Sequence, residues 1–499
     1  MPAARPPAPL AAVDLGSNSF RVEIGQVQHG RYRRIDYLKE TVRLGAGLDA
    51  QGMLTEDAAR RGLDCLARFA QRLAGIPPQH VRAVATQTLR EARNRNAFLE
   101  RAQAVLGHPI EVISGREEAR LIFAGVARLQ PSDEPRLVVD IGGRSTEMIV
   151  GQGRTPHTAE SFAVGSVSLS MKYFGDGRFT EDAFRAAQVA AGAEFEEALG
   201  AFAPHLWREA LGSSGTVGAV SQLLAASGIT DGTITPEGLR WCIGRCLKAG
   251  RIEQLALPGL KEERRPVIAG GLAILYTLAA HFGIRKLQPA RGALRQGVIF
   301  DLDDRLDALR RARPGDVREH SVRELQRRFG VDVAQARRVQ SVALALHRQV
   351  APDAEADAVR ELGWACALHE IGMMVSHHDH HRHSAYLLAH VDAPGFSQSQ
   401  QRRLAELVLG QRGGLRKVEA SLAHDDFAWQ VLCLRLAVIK CHARGPVSTT
   451  AMRLARAGRT ATLQFAPGWT ATHPRTLHLL HEERDTWARG GPIELVLIV

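Results

Sequence analysis

A strand, a tight turn opening on aspartate, and a second strand occur twice in this sequence with the same internal spacing. No other feature constrains the fold as strongly. The first copy runs from Leu10 to Val13, turns on Asp14-Leu-Gly-Ser-Asn-Ser19 and re-enters a strand at Phe20. The second reads Arg136-Leu-Val-Val139, Asp140-Ile-Gly-Gly-Arg-Ser145, Thr146-Glu-Met-Ile-Val150. Setting Asp14 on Asp140 also sets Gly16 on Gly142, Ser19 on Ser145 and Gly25-Gln26 on Gly151-Gln152. Two related α/β lobes facing each other are the predicted result.

Strand and helix signals alternate around both copies, as α/β architecture requires. Thr55 reads as an N-cap, with Glu56 and Asp57 in the first turn and Leu63, Leu66, Phe69 and Leu73 along one face. Gly75 and the Pro77-Pro78 pair end that helix. Strands are predicted at Val81 to Thr86 and Ile110 to Ile113, and helices near Asn96 to Leu106 and from Glu117, capped by Ser114. After about residue 300 long arginine- and alanine-rich helical stretches take over, at 319–350, 355–375 and 398–411. From about residue 444 the chain turns strand-like again, in Thr460 to Phe465 and Ile493 to Val499. A chain of 499 residues exceeds one hydrophobic core, and four domains are expected, at 1–124, 125–300, 301–443 and 444–499.

The two turns carry the first chemical hint. Glycine and serine between two strands point several backbone N–H groups into one concavity, an anion nest, and the serines add hydroxyl donors. The aspartate ending the first strand is acceptor-only, and beside phosphates it suits a divalent cation held directly or through water. One such turn is most simply a hairpin, whereas two with matching aspartates make a cradle. Gly212-Ser213-Ser214-Gly215-Thr216 is a third glycine-rich segment, able to wall the site further from a helix N-terminus. The formal charge of +11 would steer an anion toward it. Aromatic residues make up only 5%, which gives little platform for single-stranded nucleic acid, and no nucleic-acid partner is expected.

The six cysteines are scattered, and only Cys242 and Cys246 are close, on one helix face. That is no zinc-ribbon pattern, and a reducing cytoplasm fits it. The proline-rich opening, Met1 to Leu10, reads as a disordered lead-in without a signal sequence. No stretch approaches the roughly 18 apolar residues of a membrane span, so any membrane association would be peripheral, on the inner face.

Taken together, Asp14 to Phe20, Ser114 to Arg120, Asp140 to Glu147 and Gly212 to Thr216 resemble the exopolyphosphatase and guanosine pentaphosphate phosphohydrolase family. That family belongs to the actin, sugar-kinase and heat-shock-chaperone superfamily. The likeness continues through Gly292 to Gly297, Leu368 to Gly372 and His381 to Tyr386, covering nearly the whole chain, and the long C-terminal half is closest to the exopolyphosphatase branch. The fold it implies is two actin-like (ribonuclease H-like) lobes, a helical HD-like domain and a small C-terminal α/β domain. By position, Glu118 matches the family's catalytic base, Glu147 a second acid of the active site and Arg90 an arginine beside the phosphate. Gly16, Ser17, Asn18, Ser19, Gly142, Gly143, Arg144, Ser145 and the segment Gly212, Ser213, Ser214, Gly215, Thr216 would bind substrate. Asp14 and Asp140 would hold Mg²⁺. The implied partners are inorganic polyphosphate, guanosine pentaphosphate as the alternative, and a second copy of the chain.

Several positions depart from the family pattern. Arg144 stands where a third glycine is usual, so it either carries a backbone cost at positive φ, meets phosphate, or fills the site. Ala290-Arg291 replaces Ser-Asp, and Gln296 stands where glutamate is common. The metal-binding His-Asp doublet of HD domains reads His369-Glu370 here. The nearby His377, His378, His380, His381 and His383 are therefore assigned to structure or polyanion contact rather than to a metal. The leading reading is an Mg²⁺-dependent exopolyphosphatase. A guanosine pentaphosphate 5′-phosphohydrolase, a low-turnover polyphosphate-binding regulator and a superfamily kinase are the competing ones.

Overall fold

A computed structural model describes residues 8–28, 30–311 and 316–498. Most of the expected lead-in, residues 1–7, lies outside them, and so does Val499. The chain divides into two compact units between Gly315 and Asp316.

The first unit holds two five-stranded sheets of identical design. Strands β1 (Leu10–Leu15), β2 (Phe20–Gln28), β3 (Arg31–Glu40), β4 (Val81–Ala85) and β5 (Ile110–Val112) lie in the order β3-β2-β1-β4-β5. Strands β6 (Arg136–Ile141), β7 (Thr146–Gln152), β8 (Thr155–Phe162), β9 (Glu209–Ser213) and β10 (Gln288–Pro289) lie in the matching order β8-β7-β6-β9-β10. In each sheet the first two pairings are antiparallel and the next two parallel. Even the irregularity repeats: the register shifts between Ile24 and Gly25 in one sheet and between Val150 and Gly151 in the other. Each bulge glycine lies under an aromatic ring. A Cβ on Gly25 would come within 2.4 Å of Tyr32, and one on Gly151 within 2.5 Å of Phe123. This is the two-lobed actin-like α/β fold.

Four helices follow the first hairpin: α1 (Glu56–Leu73), α2 (Gln87–Glu91), α3 (Arg95–Leu106) and α4 (Gly115–Leu129). Thr55 caps α1 by accepting from the Ala58 N–H, and Leu66, Phe69 and Leu73 are buried on its inner face. Ser114 caps α4 by accepting from the Glu117 N–H. The second lobe adds α5 (Ser166–Tyr173), α6 (Glu181–Phe195), α7 (Ser214–Ala226), α8 (Pro236–Ala249), α9 (Arg265–His281) and α10 (Leu294–Arg311).

Two expected domain boundaries fall inside helices. The one at 124/125 cuts α4, which packs on β7, β8 and α10. The one at 300/301 cuts α10, and the first unit continues to Gly315. The reason is packing. The Cβ missing from Gly297 would lie 1.8 Å from the Leu121 carbonyl, so only glycine lets α10 cross α4 this closely. Asp301 of α10 then accepts from Arg82 at 2.7 Å, Arg120 at 2.6 Å and Arg305 at 2.6 Å.

The second unit is built from α11 (Val317–Arg328), α12 (Val333–Val350), α13 (Ala356–Leu368), α14 (His380–His390), α15 (Gln398–Gly410), α16 (Glu419–Leu422) and α17 (Asp425–Lys440). The expected helical stretch 319–350 is two helices, because Gly330 turns at φ 60° and Asp332 caps α12 by accepting from the Gln335 N–H. Strands β11 (Met452–Ala457), β12 (Thr460–Phe465) and β13 (Glu494–Ile498) form a sheet in chain order, with α18 (Trp469–Thr472) and α19 (Pro474–Gly490) before β13. Leu454, Leu463, Leu480 and Trp487 join the same hydrophobic cluster as Leu362, Trp429 and Leu432 of the helices. Sheet and helices of this unit thus share one core.

All six cysteines are buried free thiols. Among the described residues no helix is long and apolar enough to cross a membrane.

Candidate active site

The β1–β2 and β6–β7 turns meet at their tips, where a Cβ on Gly143 would lie 3.1 Å from that of Ser17. Below them opens a narrow cleft of about 80 Å³. Gly16, Ser17, Asn18 and Ser19 line one side, and Gly142, Gly143 and Ser145 the other. The N-terminus of α7 contributes Ser214, Gly215 and Thr216, and Asp14, Asp140 and Glu118 complete the acidic part of the wall. The loop carbonyls are turned to other work. Ser17 O accepts from Gly45 N–H and Asn18 O from Arg43 N–H, while Gly142 O and Gly143 O accept from the first N–H groups of α5. Acceptors that would repel an anion are thereby engaged elsewhere.

Two buried donors in this cleft, Ser19 Oγ and Arg21 Nε, have no hydrogen-bond partner among the described residues. Buried orphan donors are costly, by about 1–3 kcal/mol each, and point to a ligand that accepts. Arg21 and Arg264 are cations of the wall that the sequence reading did not single out. Burial, and then the charge of Arg21, depress the Arg264 pKa, so two guanidinium groups crowd one space. Gly215 admits Arg264: a Cβ there would lie 2.1 Å from its Nη2. Thr86 and Ser166 also reach the cleft.

Glu118 projects into the cleft from the first turn of α4, while its neighbour Glu117 points into the protein. Glu117 receives both Arg120 Nε at 2.7 Å and Arg120 Nη2 at 2.8 Å, and Arg120 continues to Asp301. Burial resists ionisation of Asp301, yet Arg305, Arg120 and Arg82 hold its carboxyl far below the usual range. That fixed charge network clamps the helix turn from which Glu118 emerges. Glu118 itself is pushed up to about 7, mainly by burial and further by Asp14 and Asp140, against the pull of Arg90.

Five residues assigned to the site from sequence stand off the cleft wall. Arg90 is fully engaged in the protein. Its Nη1 donates to Glu118 Oε2 at 2.8 Å and to Ile113 O at 3.0 Å, and its Nε and Nη2 donate to Gln87. It orients the carboxylate rather than presenting a paired face to the cleft. Glu147 is buried beside Asp140 as its antiparallel partner, accepts from Ser161 Oγ at 2.8 Å, and is raised well above a normal carboxyl by burial, Glu118 and Asp140. Gly212 is a packing glycine, because a Cβ would lie 2.6 Å from Val217. Ser213 Oγ donates to Gly292 O at 3.2 Å.

Arg144 is the fifth, and its φ is not positive, so the backbone pays no glycine penalty there. Its side chain leaves the cleft for the other lobe, where Nε meets Glu91 Oε2 at 2.8 Å and Nη1 meets Gly45 O at 3.1 Å. Two of the other departures, Arg291 and Gln296, also lie away from the wall. Arg291 is exposed. Gln296 is buried and donates through Nε2 to both oxygens of Glu23, at 2.7 and 2.8 Å.

Asp14 and Asp140 are the groups suited to a divalent cation. Asp140 is buried, and its pKa is raised by that burial and by the charge of Asp14. A like-charge pair of this kind fits Mg²⁺, which takes one or two carboxylates, keeps waters and uses substrate phosphate for the rest. Among the described residues no three potential ligands gather into a closed metal cage.

The Ppx/GppA phosphatase family matches residues 24–306, and domain III of that family matches residues 317–484. Among solved structures, an exopolyphosphatase-like protein is 26% identical with a TM-score of 0.54, over 60% of this chain and 99% of its own. The PPX-GPPA enzyme of Aquifex aeolicus is 25% identical with a TM-score of 0.50, over 58% of this chain and 98% of its own. An exopolyphosphatase from Cytophaga hutchinsonii, 24% identical with a TM-score of 0.54 over 59% of this chain and 98% of its own, shares the fold. With both of its units matched and its twin loops closing on a buried glutamate, the chain belongs to the Ppx/GppA phosphatase family of hydrolases.

Proposed function

We propose that this protein is an exopolyphosphatase, which hydrolyses the terminal phosphoanhydride bond of inorganic polyphosphate and releases orthophosphate. The observation that carries the reading is Glu118: a carboxylate at the cleft wall, oriented by Arg90 and poised near pH 7, between two loops built to hold phosphate.

In this reading the terminal phosphoryl group sits between Gly16–Ser19 and Gly142–Ser145, accepting from backbone N–H groups and from Ser19 Oγ. Glu118 takes a proton from the attacking water as its oxygen bonds to phosphorus. The bridging oxygen leaves with the shortened chain, so polyphosphate of n units plus water gives n−1 units plus orthophosphate. Arg21 and Arg264 offset charge on the phosphoryl oxygens, a contribution that dominates phosphoryl transfer together with positioning. Mg²⁺ held by Asp14 and Asp140 would supply further charge neutralisation on the phosphate oxygens.

Polyphosphate is favoured over guanosine pentaphosphate because, among the described residues lining the cleft, none carries an aromatic ring to stack a nucleobase. The net charge of +11 also favours a long polyanion. The test is phosphate release from long-chain polyphosphate and from guanosine pentaphosphate, each with Mg²⁺, using Glu118→Gln as control. Faster turnover of the nucleotide would reverse the preference, and turnover of neither would end the enzyme reading.

A further inference from the structure

The second unit contains a cavity of about 470 Å³, lined by both polar and apolar side chains, that the proposed hydrolysis does not use. It lies among the start of α12, the ends of α13 and α15, the start of α14, the last turns of α17 and the middle of α19, and its lining includes His369, His380, Gln411, Arg412, Arg435 and Arg444.

Most of its charges are already satisfied. Arg435 grips Glu483 through two bonds, at 2.5 and 2.7 Å, and Arg444 holds Glu370 at 2.6 Å. Three groups remain. Arg412 is exposed and has no carboxylate at ion-pair distance among the described residues. The one hydrogen bond of its side chain among the described residues is Nη1 to His380 Nε2 at 3.5 Å. His380 is only 5% exposed, and its Nδ1 has no hydrogen-bond partner. With Arg412 facing Nε2, the ring proton belongs on Nδ1, which makes that atom a buried orphan donor. Gln411, 2% exposed, has the opposite lack. Its Nε2 donates to His369 O and Val408 O, fixing the amide, and its Oε1 accepts from nothing.

A further cation stands beside Arg412, while Glu482 is a lining carboxylate with no arginine or lysine partner among the described residues. Lys417 donates to the Arg412 carbonyl, and its pKa is pushed down to about 8 by burial and by Arg435 and Arg382. A metal is a poor fit, because Arg444 already occupies the carboxylate of Glu370 and, among the described residues, no three ligands converge.

A guanidinium and a buried N–H that need acceptors, beside a buried carbonyl that needs a donor, describe one small ligand. We infer that this cavity binds hydrogen phosphate as the free ion, with its oxygens on Arg412 and His380 and its P–OH donating to Gln411. Sulfate has the same shape but carries no proton at neutral pH, so it satisfies the donors and leaves Gln411 unpaired. The site is independent of hydrolysis in the first unit.

The test is hydrogen exchange on the full chain during titration with orthophosphate and, separately, sulfate, read on peptides covering 377–390 and 410–418. Expected is saturable protection there by phosphate, about tenfold weaker for sulfate and about tenfold weaker in Arg412→Gln. Arg412 is exposed, so that variant should fold, and His380→Asn provides a second variant at the donor. Phosphate bound in the cleft protects other peptides and does not confuse the reading. No protection of these segments, an equal response to sulfate, or a midpoint unchanged in both variants would overturn the inference. Protection by Mn²⁺ alone but not by phosphate would replace it with a metal site.

Discussion

Arg21 and Glu147 hold the same place in the two copies of one motif: each is the antiparallel partner of its motif's aspartate, Arg21 opposite Asp14 and Glu147 opposite Asp140. A duplicated scaffold has therefore been given opposite charges at equivalent points. On one lobe the position lends a guanidinium to the cleft, with Nη1 at 3.6 Å from Asp14. On the other it places a buried carboxyl behind the cleft wall, close enough to Asp140 and Glu118 for their charges to raise its pKa. Such asymmetry suits a reaction in which one side receives an anion and the other handles water.

Arg21→Gln should therefore weaken substrate binding more than it slows chemistry. Removing one charge-assisted contact to phosphate should raise KM for polyphosphate about tenfold, with a smaller fall in kcat. It should also flatten the salt dependence of kcat/KM. Initial rates at two ionic strengths decide it, and an unchanged KM would place the anion away from Arg21.

Glu118 sets a pH dependence. The base works as the carboxylate, and its pKa is raised to about 7. Below that value kcat/KM should fall about tenfold per pH unit, and above it should level off. Glu118→Gln should cost on the order of 10²-fold to 10⁴-fold in rate. A profile flat from pH 5 to 8 would assign the base elsewhere.

The same shift has a consequence for stability. A carboxyl whose folded pKa lies above its unfolded value favours the fold while it is protonated, and loses that contribution as pH rises through the folded pKa. The window is from the model-peptide value of 4.5 up to about 7. Glu118→Gln, which mimics the neutral form, should thus gain stability relative to the native chain as pH goes from 5 to 8, by roughly 3 kcal/mol in total. Denaturant unfolding at the two pH values measures it, and a constant difference would contradict the buried, strained ionisation of Glu118.

Both halves of the fold were legible because the repeat is long and its chemistry strict. Asp14 and Asp140, the loop serines and the bulge glycines recur at one spacing, and the two sheets share one topology. The same superposition also sets Arg21 on Glu147, a pairing of opposite charges that the matching glycines and serines drew attention away from. Arg264 left no local trace, since it reaches the cleft only through tertiary packing over Gly215. The boundary near 300 was missed for a similar reason: α10 is polar and arginine-rich like the helices after it, and its allegiance is decided by glycine contacts with α4 and by the arginines around Asp301. Which side Arg144 faces was likewise invisible until Glu91 and Gly45 were seen across from it.

Arg144 ties the β6–β7 turn to α2, the short helix that also carries Arg90. Glu91 receives Arg144 while Arg90, one residue earlier, holds Glu118. Arg144→Gln should reduce kcat/KM by a few-fold, about 3 to 10, because the pair is partly exposed and screened. Glu91→Gln should cost the same or less, because it leaves the Arg144–Gly45 bond in place, and the double variant should be no worse than Arg144→Gln, since that substitution already breaks the ion pair. Additive losses would mean that Arg144 meets phosphate directly.

Gln296 gives a test of the buried network behind Asp14. Glu23 is fully buried and accepts from Tyr32, from Arg295 at 3.2 Å and from Gln296 through both oxygens. The carboxylate is therefore surrounded by donors, and an amide at 296 supplies what a second acid could not. Gln296→Glu would face Glu23 with an acceptor in place of a donor, where both side chains are buried. A pair of carboxyls held this close cannot both ionise, so the new one must keep a proton, with a folded pKa well above its unfolded value. By the sign already worked out for Glu118, that contribution is intact at acidic pH and disappears as pH rises. The variant should be close to native stability near pH 4.5 and weaker by roughly 3 kcal/mol at pH 8, the scale of a buried pair that has been broken. Unfolding midpoints across that range measure it. Equal stability at both ends would mean that Glu23 is held by Arg295 and Tyr32 alone, with Gln296 a spectator.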